Sequence, residues 1–392
     1  MRILVLTPTF LPVIGGAELV LWEVYRRLSI KHEVVLLTPK LKESLIKHYS
    51  KNEADYPVNF QVIRYKDTWT LMSVRGHKIT GGMIPPFSLS AVFAVKKALK
   101  DFNAQVLNVH YTMPTGLAGA IVNTFWKVPT VLSFNGRDVP GPGVPPLWKY
   151  WHRLIARYCT DVTYVSEYCR EVIFRTRGPG LVTWNGVDFD KIRISPSDHL
   201  RERLGIEKKA NVLFALQRLS KEKKVELLIE SMRYIVDSIP DTVMIIGGTG
   251  PEKDRLLELS NQLNLSDKIK FAGFIPDTNV GDYFNLCDVF VFNSTYETFG
   301  IVLAQAMAHG KPIVSVFSTA IPSVVKNNEC GILVPQDKPK LLANAVIRLL
   351  QDESLRVKFG NSGMERAKAL FDWNTVTKKY EEVFEKATQA AL

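Results

Sequence analysis

The feature that most limits the fold of this chain is a rhythm. Short apolar runs alternate with helix-patterned stretches, the pattern breaks, and then it starts again. The first set of runs is 3–6, 33–38, 60–63, 106–109, 130–134 and 162–165. These runs are mostly apolar, as strands covered on both faces tend to be. Stretches 17–28 and 88–99 between them carry helical periodicity. Strand and helix in alternation predict a parallel sheet with right-handed crossovers. The second set is 212–216, 242–246, 269–271, 289–292, 313–315 and 331–334, with helical patterns over 225–237, 251–263, 278–285, 301–309 and 339–350. Between the sets, 188–209 is polar and charged and contains Ser195-Pro196-Ser197, so it reads as a linker. The expectation is an α/β chain of two doubly wound, Rossmann-like domains, 1–187 and 188–372. A ligand cleft is expected at the carboxyl ends of their strands.

Length and composition agree. The chain has 392 residues, 46% of them hydrophobic, which exceeds one ordinary core and suits two. No apolar stretch reaches the roughly 18 residues needed to span a bilayer. The first run is bounded by Pro8 and followed by a glycine turn, so it reads as a first strand and not as a leader. The four cysteines, Cys159, Cys169, Cys287 and Cys330, form no C-x-x-C pair and fit a reducing compartment. A cytoplasmic protein is expected, free or on the cytoplasmic membrane face. The net charge of +11 favours an anionic partner, but a basic solvated surface explains it equally well.

Two segments stand outside the rhythm. Residues 64–87 read as a long loop. Residues 145–158, PPLWKYWHRLIARY, interleave Trp148, Trp151 and Tyr158 with Lys149, Arg153 and Arg157. That pattern fits a helix lying on an anionic membrane, and equally a helix packed on the sheet with its basic side in water.

The strongest chemical signal is the segment 293–312. An apolar run ends at Asn293, a polar turn follows, and a small-residue helix stops at Gly310 before Pro312. The start of that helix offers free N–H groups and partial positive charge, which suit a diphosphate. Glu297 precedes the helix and can accept hydrogen bonds from sugar hydroxyls. Gln305 lies eight positions on, so the pair spans roughly 10–12 Å, about the distance from a donor sugar across a diphosphate to a ribose. The second signal is the basic turn 217–224, which follows an apolar run and contains Arg218 and Lys223. Breaking a sugar–phosphate bond leaves negative charge, which two such cations neutralise.

Taken in order, these residues resemble the GT-B-fold retaining glycosyltransferases of family 4, the "glycosyl transferases group 1". The resemblance covers nearly the whole chain. It runs from Gly15-Gly16-Ala17-Glu18 and Val109-His110 through Ser133-Phe134-Asn135-Gly136-Arg137-Asp138, Val165-Ser166-Glu167 and Asn185-Gly186-Val187-Asp188. It continues with Arg218 and Lys223, Gly248-Thr249-Gly250-Pro251 and Phe271-Ala272-Gly273, and closes on Glu297-Thr298-Phe299-Gly300. The resemblance implies a GT-B fold and hexosyl transfer from a UDP- or GDP-linked sugar, with retention, to a lipid-linked or saccharide acceptor in glycan biosynthesis. It implies catalytic roles for Glu297, Arg218, Lys223 and His110. Donor contacts are implied for Gly15, Gly16, Gly250, Phe299, Gly300, Ile301 and Gln305, and an acceptor side at Asn135 and Asp138. His110 is expected near the reacting sugar; a satisfied strand-end histidine is the other reading. The implied partners are the nucleotide sugar and the acceptor; the basic charge and the helix over 145–158 add a peripheral contact with an anionic membrane as an expectation, and no nucleic-acid module is seen. No cofactor and no metal are required. A last helix, 373–392, is expected to cross back to the N-terminal domain.

Two positions depart from the family pattern. Gln305 stands where the family has a second Glu, and Asn135 where many relatives carry His. Loss of the carboxylate motivates the competing reading of a non-catalytic nucleotide-sugar-binding subunit. Gln217 stands where many relatives carry Gly. Asp188-Phe189-Asp190 spells D-x-D, the metal motif of a different transferase fold, but falls at the domain junction.

Overall fold

A computed structural model describes all residues except 14, 42–55, 69, 72–84, 137–138, 140–145, 175–177, 195–196 and 391–392. The chain forms two compact units. One comprises Met1–Asn185 with Trp373–Leu392, and the other Gly186–Asp372.

The first unit opens with β1 (Arg2–Leu6), α1 (Gly16–Leu28), β2 (Glu33–Pro39) and β3 (Gln61–Tyr65). The two-residue strands β4 (Thr70–Leu71) and β5 (Phe87–Ser88) pair antiparallel. Then come α2 (Leu89–Phe102), β6 (Val106–His110), α3 (Gly116–Phe125), β7 (Thr130–Phe134), α4 (Pro146–Arg157), β8 (Asp161–Tyr164), α5 (Glu167–Phe174) and β9 (Leu181–Val182). The main sheet runs β3-β2-β1-β6-β7-β8-β9, with every pairing parallel. Ile3, Leu4, Val5 and Leu6 are fully buried; each such side chain contributes about 1.5–3 kcal/mol. In α1, Glu18 lies in the first turn and Arg26 and Arg27 in the last, matching the helix dipole at both ends.

The second unit contains α6 (Asp198–Arg203), β10 (Asn211–Leu216), α7 (Val225–Ser238), β11 (Thr242–Gly247), α8 (Lys253–Gln262), β12 (Ile269–Gly273) and α9 (Val280–Leu286). It continues with β13 (Val289–Phe292), α10 (Ile301–Ala308), β14 (Ile313–Val316), α11 (Ile321–Val324), β15 (Gly331–Val334), α12 (Pro339–Gln351) and α13 (Glu353–Phe371). Its sheet is β12-β11-β10-β13-β14-β15, again parallel throughout. The last helix, α14 (Trp373–Gln389), belongs to the first unit. There His32 Nε2 meets Glu381 Oε1 at 2.8 Å, and Lys386 Nζ meets Asp161 Oδ2 at 3.1 Å.

All twelve apolar runs are strands. The stretch read as a linker, 188–209, is not one. It lies inside the second unit and holds a 3-10 turn (Phe189–Lys191) and α6, whose Leu200 is fully buried. Its polar composition masked a short helix with one core side chain. Within the segment 64–87, residues 69 and 72–84 lie outside the described residues; the remainder supplies the end of β3 and the short β4–β5 pair.

In each sheet the strand order reverses at one place. The first reverses between β1 and β6, the second between β10 and β13. Loops leaving the carboxyl ends of the two strands at such a switch point part to opposite faces and leave a crevice for a ligand.

Candidate active site

In the second unit the switch point brings one predicted cation, Lys223, to the predicted carboxylate, Glu297. Lys223 leaves β10 on a short 3-10 turn (Lys221–Lys223), and Glu297 follows β13. Lys223 Nζ forms an ion pair with Glu297 Oε1 and donates to Ser294 Oγ at 3.1 Å. Both side chains are mostly buried. The two loops are also joined through their backbones. Thr295 N and Oγ1 donate to the Glu222 carbonyl at 3.2 and 2.9 Å, and Asn293 Nδ2 donates to the Lys224 carbonyl at 3.0 Å. The Ser220 hydroxyl, bonded to Glu222 at 2.7 Å, holds that carboxyl below its usual range. Arg218 is exposed on the same turn.

Glu297 is clamped from a third side. Its N–H donates to Thr319 Oγ1 at 2.8 Å, and its carbonyl accepts from Ala320 N at 3.2 Å. Thr319 sits at φ 40, a costly conformation for a β-branched residue. Sequence pattern carries no signal for that residue.

Gly300, at φ 83, turns the chain into α10. The side chain of Phe299 is buried and meets the Phe371 ring edge-on at 5.3 Å. This anchor leaves the backbone of Phe299, Gly300 and Ile301 at the helix start, where N–H groups lack intrahelical acceptors. Gln305 is half-buried within the same helix, and its carbonyl is bonded to His309 Nδ1 at 2.8 Å.

Gly250 has a packing reason for being glycine. A Cβ there would lie 2.2 Å from the Leu219 carbonyl oxygen; one on Gly248, at φ 120, would lie 1.9 Å from that of Gln217. The glycines let this loop close on the backbone of the basic turn. Gln217 is buried, and its Nε2 lies 3.5 Å from the Lys223 carbonyl, so this residue backs the same turn.

In the first unit, Gly15 and Gly16 stand where β1 gives way to α1. Gly15 N donates to Glu18 Oε2 at 3.0 Å, while Thr9 Oγ1 donates to Glu18 Oε1 at 2.5 Å. The buried Glu18 therefore braces the loop, a role that the sequence pattern left unassigned. Gly16 is exposed at the helix start.

His110 ends β6. Its ring is 1% exposed and has partners at both nitrogens: Asn135 Nδ2 at 2.7 Å from Nδ1, and Tyr25 Oη at 2.5 Å from Nε2. Burial pushes its pKa down to about 3. The ring is thus a satisfied, neutral histidine, and its neighbour Asn135 is half-buried after β7. Asp138 lies outside the described residues. Asp188 of the D-x-D caps the 3-10 turn and pairs with Lys191 at 3.1 Å. Among the described residues no group of His, Cys, Asp and Glu side chains is arranged to hold a metal ion. Nor is any described helix long and apolar enough to cross a membrane.

The family model described as Glycosyltransferase Family 4 matches residues 14–191, and the model for Glycosyl transferases group 1 matches 196–366. Among curated relatives, N-acetyl-alpha-D-glucosaminyl L-malate synthase of Bacillus anthracis is 24% identical over 96% of this chain and 95% of its own. The GDP-mannose-dependent alpha-(1-6)-phosphatidylinositol monomannoside mannosyltransferase of Mycobacterium tuberculosis is 24% identical, with 96% of each chain covered. Among solved structures, Anabaena HepE in complex with UDP superposes with a TM-score of 0.80 at 21% identity, covering 98% of this chain and 100% of that one. Its likeness shows the fold. With both family models in chain order and two parallel, doubly wound units, the chain belongs to the GT-B-fold glycosyltransferases of family 4.

Proposed function

We propose that this glycosyltransferase moves a hexosyl group from a UDP- or GDP-linked sugar to a lipid-linked or saccharide acceptor, with retention and without a metal. The observation that carries the reading is the Lys223–Glu297 pair at the switch point of the second sheet. It puts a cation and a carboxylate side by side just before the start of a helix. In the reading, Lys223 and Arg218 bind the donor diphosphate with the N–H groups at the start of α10. Glu297 accepts from sugar hydroxyls, and Gln305 bonds the ribose. The C1–O bond of the donor breaks, and its electron pair goes to the β-phosphate oxygen, whose charge the two cations take up. The acceptor oxygen bonds to C1 on the same face and passes its proton to that phosphate oxygen. Gly15 and Gly16 meet the phosphates, and Asn135 serves the acceptor side.

Relatives support both donor classes, since one is named for GDP-mannose and a structural neighbour was solved with UDP. A lipid-linked acceptor is supported by α4, which leaves Leu147, Tyr150 and Leu154 exposed beside Arg153 and Arg157 around a cavity of about 490 Å³. Apolar and cationic side chains on one helix suit an anionic membrane surface. The competing reading of a non-catalytic subunit finds no support in a site whose cation and carboxylate are both in place.

The test is a thermal-shift panel with UDP, GDP, ADP and their sugar conjugates in EDTA. A ligand at 100 times its dissociation constant stabilises by about 2.7 kcal/mol, a shift of a few degrees. A shift with the UDP or GDP family is expected; no shift with either would overturn the donor assignment.

A further inference from the structure

His110 is one link in a buried polar chain that runs through the first unit. The hydrogen positions along this chain follow from the chemistry of its ends. Asn108 Nδ2 lies 2.8 Å from the Val131 carbonyl and 3.0 Å from Ser133 Oγ. A carbonyl only accepts, so the amide N–H₂ is the group on that side and Oδ1 is the group facing Tyr25. Oδ1 only accepts, and Tyr25 Oη lies 2.5 Å from it, so the single phenolic hydrogen of Tyr25 goes to Asn108. The phenol oxygen then meets His110 Nε2 as an acceptor, and Nε2 must carry hydrogen. The buried ring is neutral and has one N–H, so Nδ1 is a bare lone pair. Asn135 therefore presents its Nδ2–H to Nδ1 and turns its Oδ1 away from the ring. Each member has one assignment that leaves no donor facing a donor.

The geometry also holds the ring in place. Tyr25 meets it edge-on with centroids 5.6 Å apart, and Thr115 Oγ1 donates to the His110 carbonyl at 2.7 Å. Tyr25 comes from α1, and Asn135 follows β7. Among the described residues no charged side chain is hydrogen-bonded to the ring.

We propose that Tyr25 and Asn108 are positioning residues that fix His110 as its Nε2–H tautomer, so that the imidazole holds the Asn135 amide in one orientation. With both ring nitrogens engaged, the imidazole takes no proton from the acceptor. Contact between this corner and a sugar hydroxyl runs through Asn135. The consequence for transfer rests on the function proposed above; the tautomer does not.

The experiment is nitrogen-15 spectroscopy of the full chain labelled at histidine, with the His110 signals assigned by difference from His110→Gln. Between pH 5 and 8 the expected pattern is a pyridine-like Nδ1 and a pyrrole-like Nε2. The opposite tautomer, or a protonated ring, would overturn the assignment. Tyr25→Phe removes the acceptor of Nε2–H. Tautomer averaging is expected, with kcat about tenfold lower and donor KM within twofold. Unchanged kcat would overturn the positioning role. Asn135→Asp offers only acceptors, so Nδ1 must gain hydrogen while Tyr25 retains Nε2–H. A ring that titrates within pH 5–8 is expected in this variant, and an unchanged spectrum would overturn the chain of bonds even if Tyr25→Phe fails to fold. Absence of transfer with any donor would count against the transferase reading and leave the tautomer to be decided by the spectra.

Discussion

Lys223 and Glu297 lie 74 positions apart in the chain and form one ion pair, with Ser294 as a second partner for the lysine. The parallel sheet order brings them together: β10 and β13 are neighbours, and each ends in one of the two loops. Glu297→Ala is therefore expected to lose well over tenfold in transfer rate, with the fold intact. Initial rates and a circular dichroism melt check both parts. Full activity would remove Glu297 from the site.

Gln305→Glu is expected to keep or raise donor affinity. A carboxylate in place of the amide adds charge assistance to bonds with ribose hydroxyls, about 1 kcal/mol or roughly fivefold. Titration calorimetry with the preferred nucleotide measures it. A fall in affinity would separate Gln305 from the ribose.

Gly250→Ala tests the loop that closes on the basic turn. Its Cβ would lie 2.2 Å from the Leu219 carbonyl, so a backbone must move, at a cost of about 2–4 kcal/mol. Gly205→Ala is the comparison: a positive φ of 63 but nothing within 4 Å, so about 1 kcal/mol. Urea unfolding should rank the two in that order.

Acid should weaken the first unit through His110 and His152. Burial pushes their pKa values down to about 3 and about 4. The folded state keeps both neutral, while the unfolded chain takes up protons as pH falls through about 6.5. Their contribution to stability is complete above that value and is lost on the way down, at about 1.4 kcal/mol per pH unit for each group. Melting temperatures at pH 7.5 and pH 5 measure it. His152→Leu should flatten the dependence.

Much of the scaffold was legible because parallel strands buried on both faces are unbroken apolar runs. Residues 3–6 and 289–292 announce themselves in that way. Helices with other patterns were harder to read. The stretch over α3, GLAGAIVNTF, is almost wholly apolar, and α13 has no marked apolar stripe. The candidate site was legible where its residues carry charge, as at Lys223 and Glu297, which the structure brings into one ion pair. It was not legible where the role lies in backbone or shared hydrogens. Thr319 clamps Glu297 from a positive φ, and Tyr25 holds His110 from a helix face that reads as core. Neither role leaves a local pattern.

In the proposed function the Lys223–Glu297 corner receives the diphosphate end of a nucleotide-sugar donor. Calorimetric titration of the full chain and of Lys223→Ala, in EDTA, with the nucleotide that shifts the melt tests it most directly. One site is expected on the native chain and binding at least tenfold weaker in the variant, with unchanged circular dichroism. Equal affinity in the two proteins would contradict it.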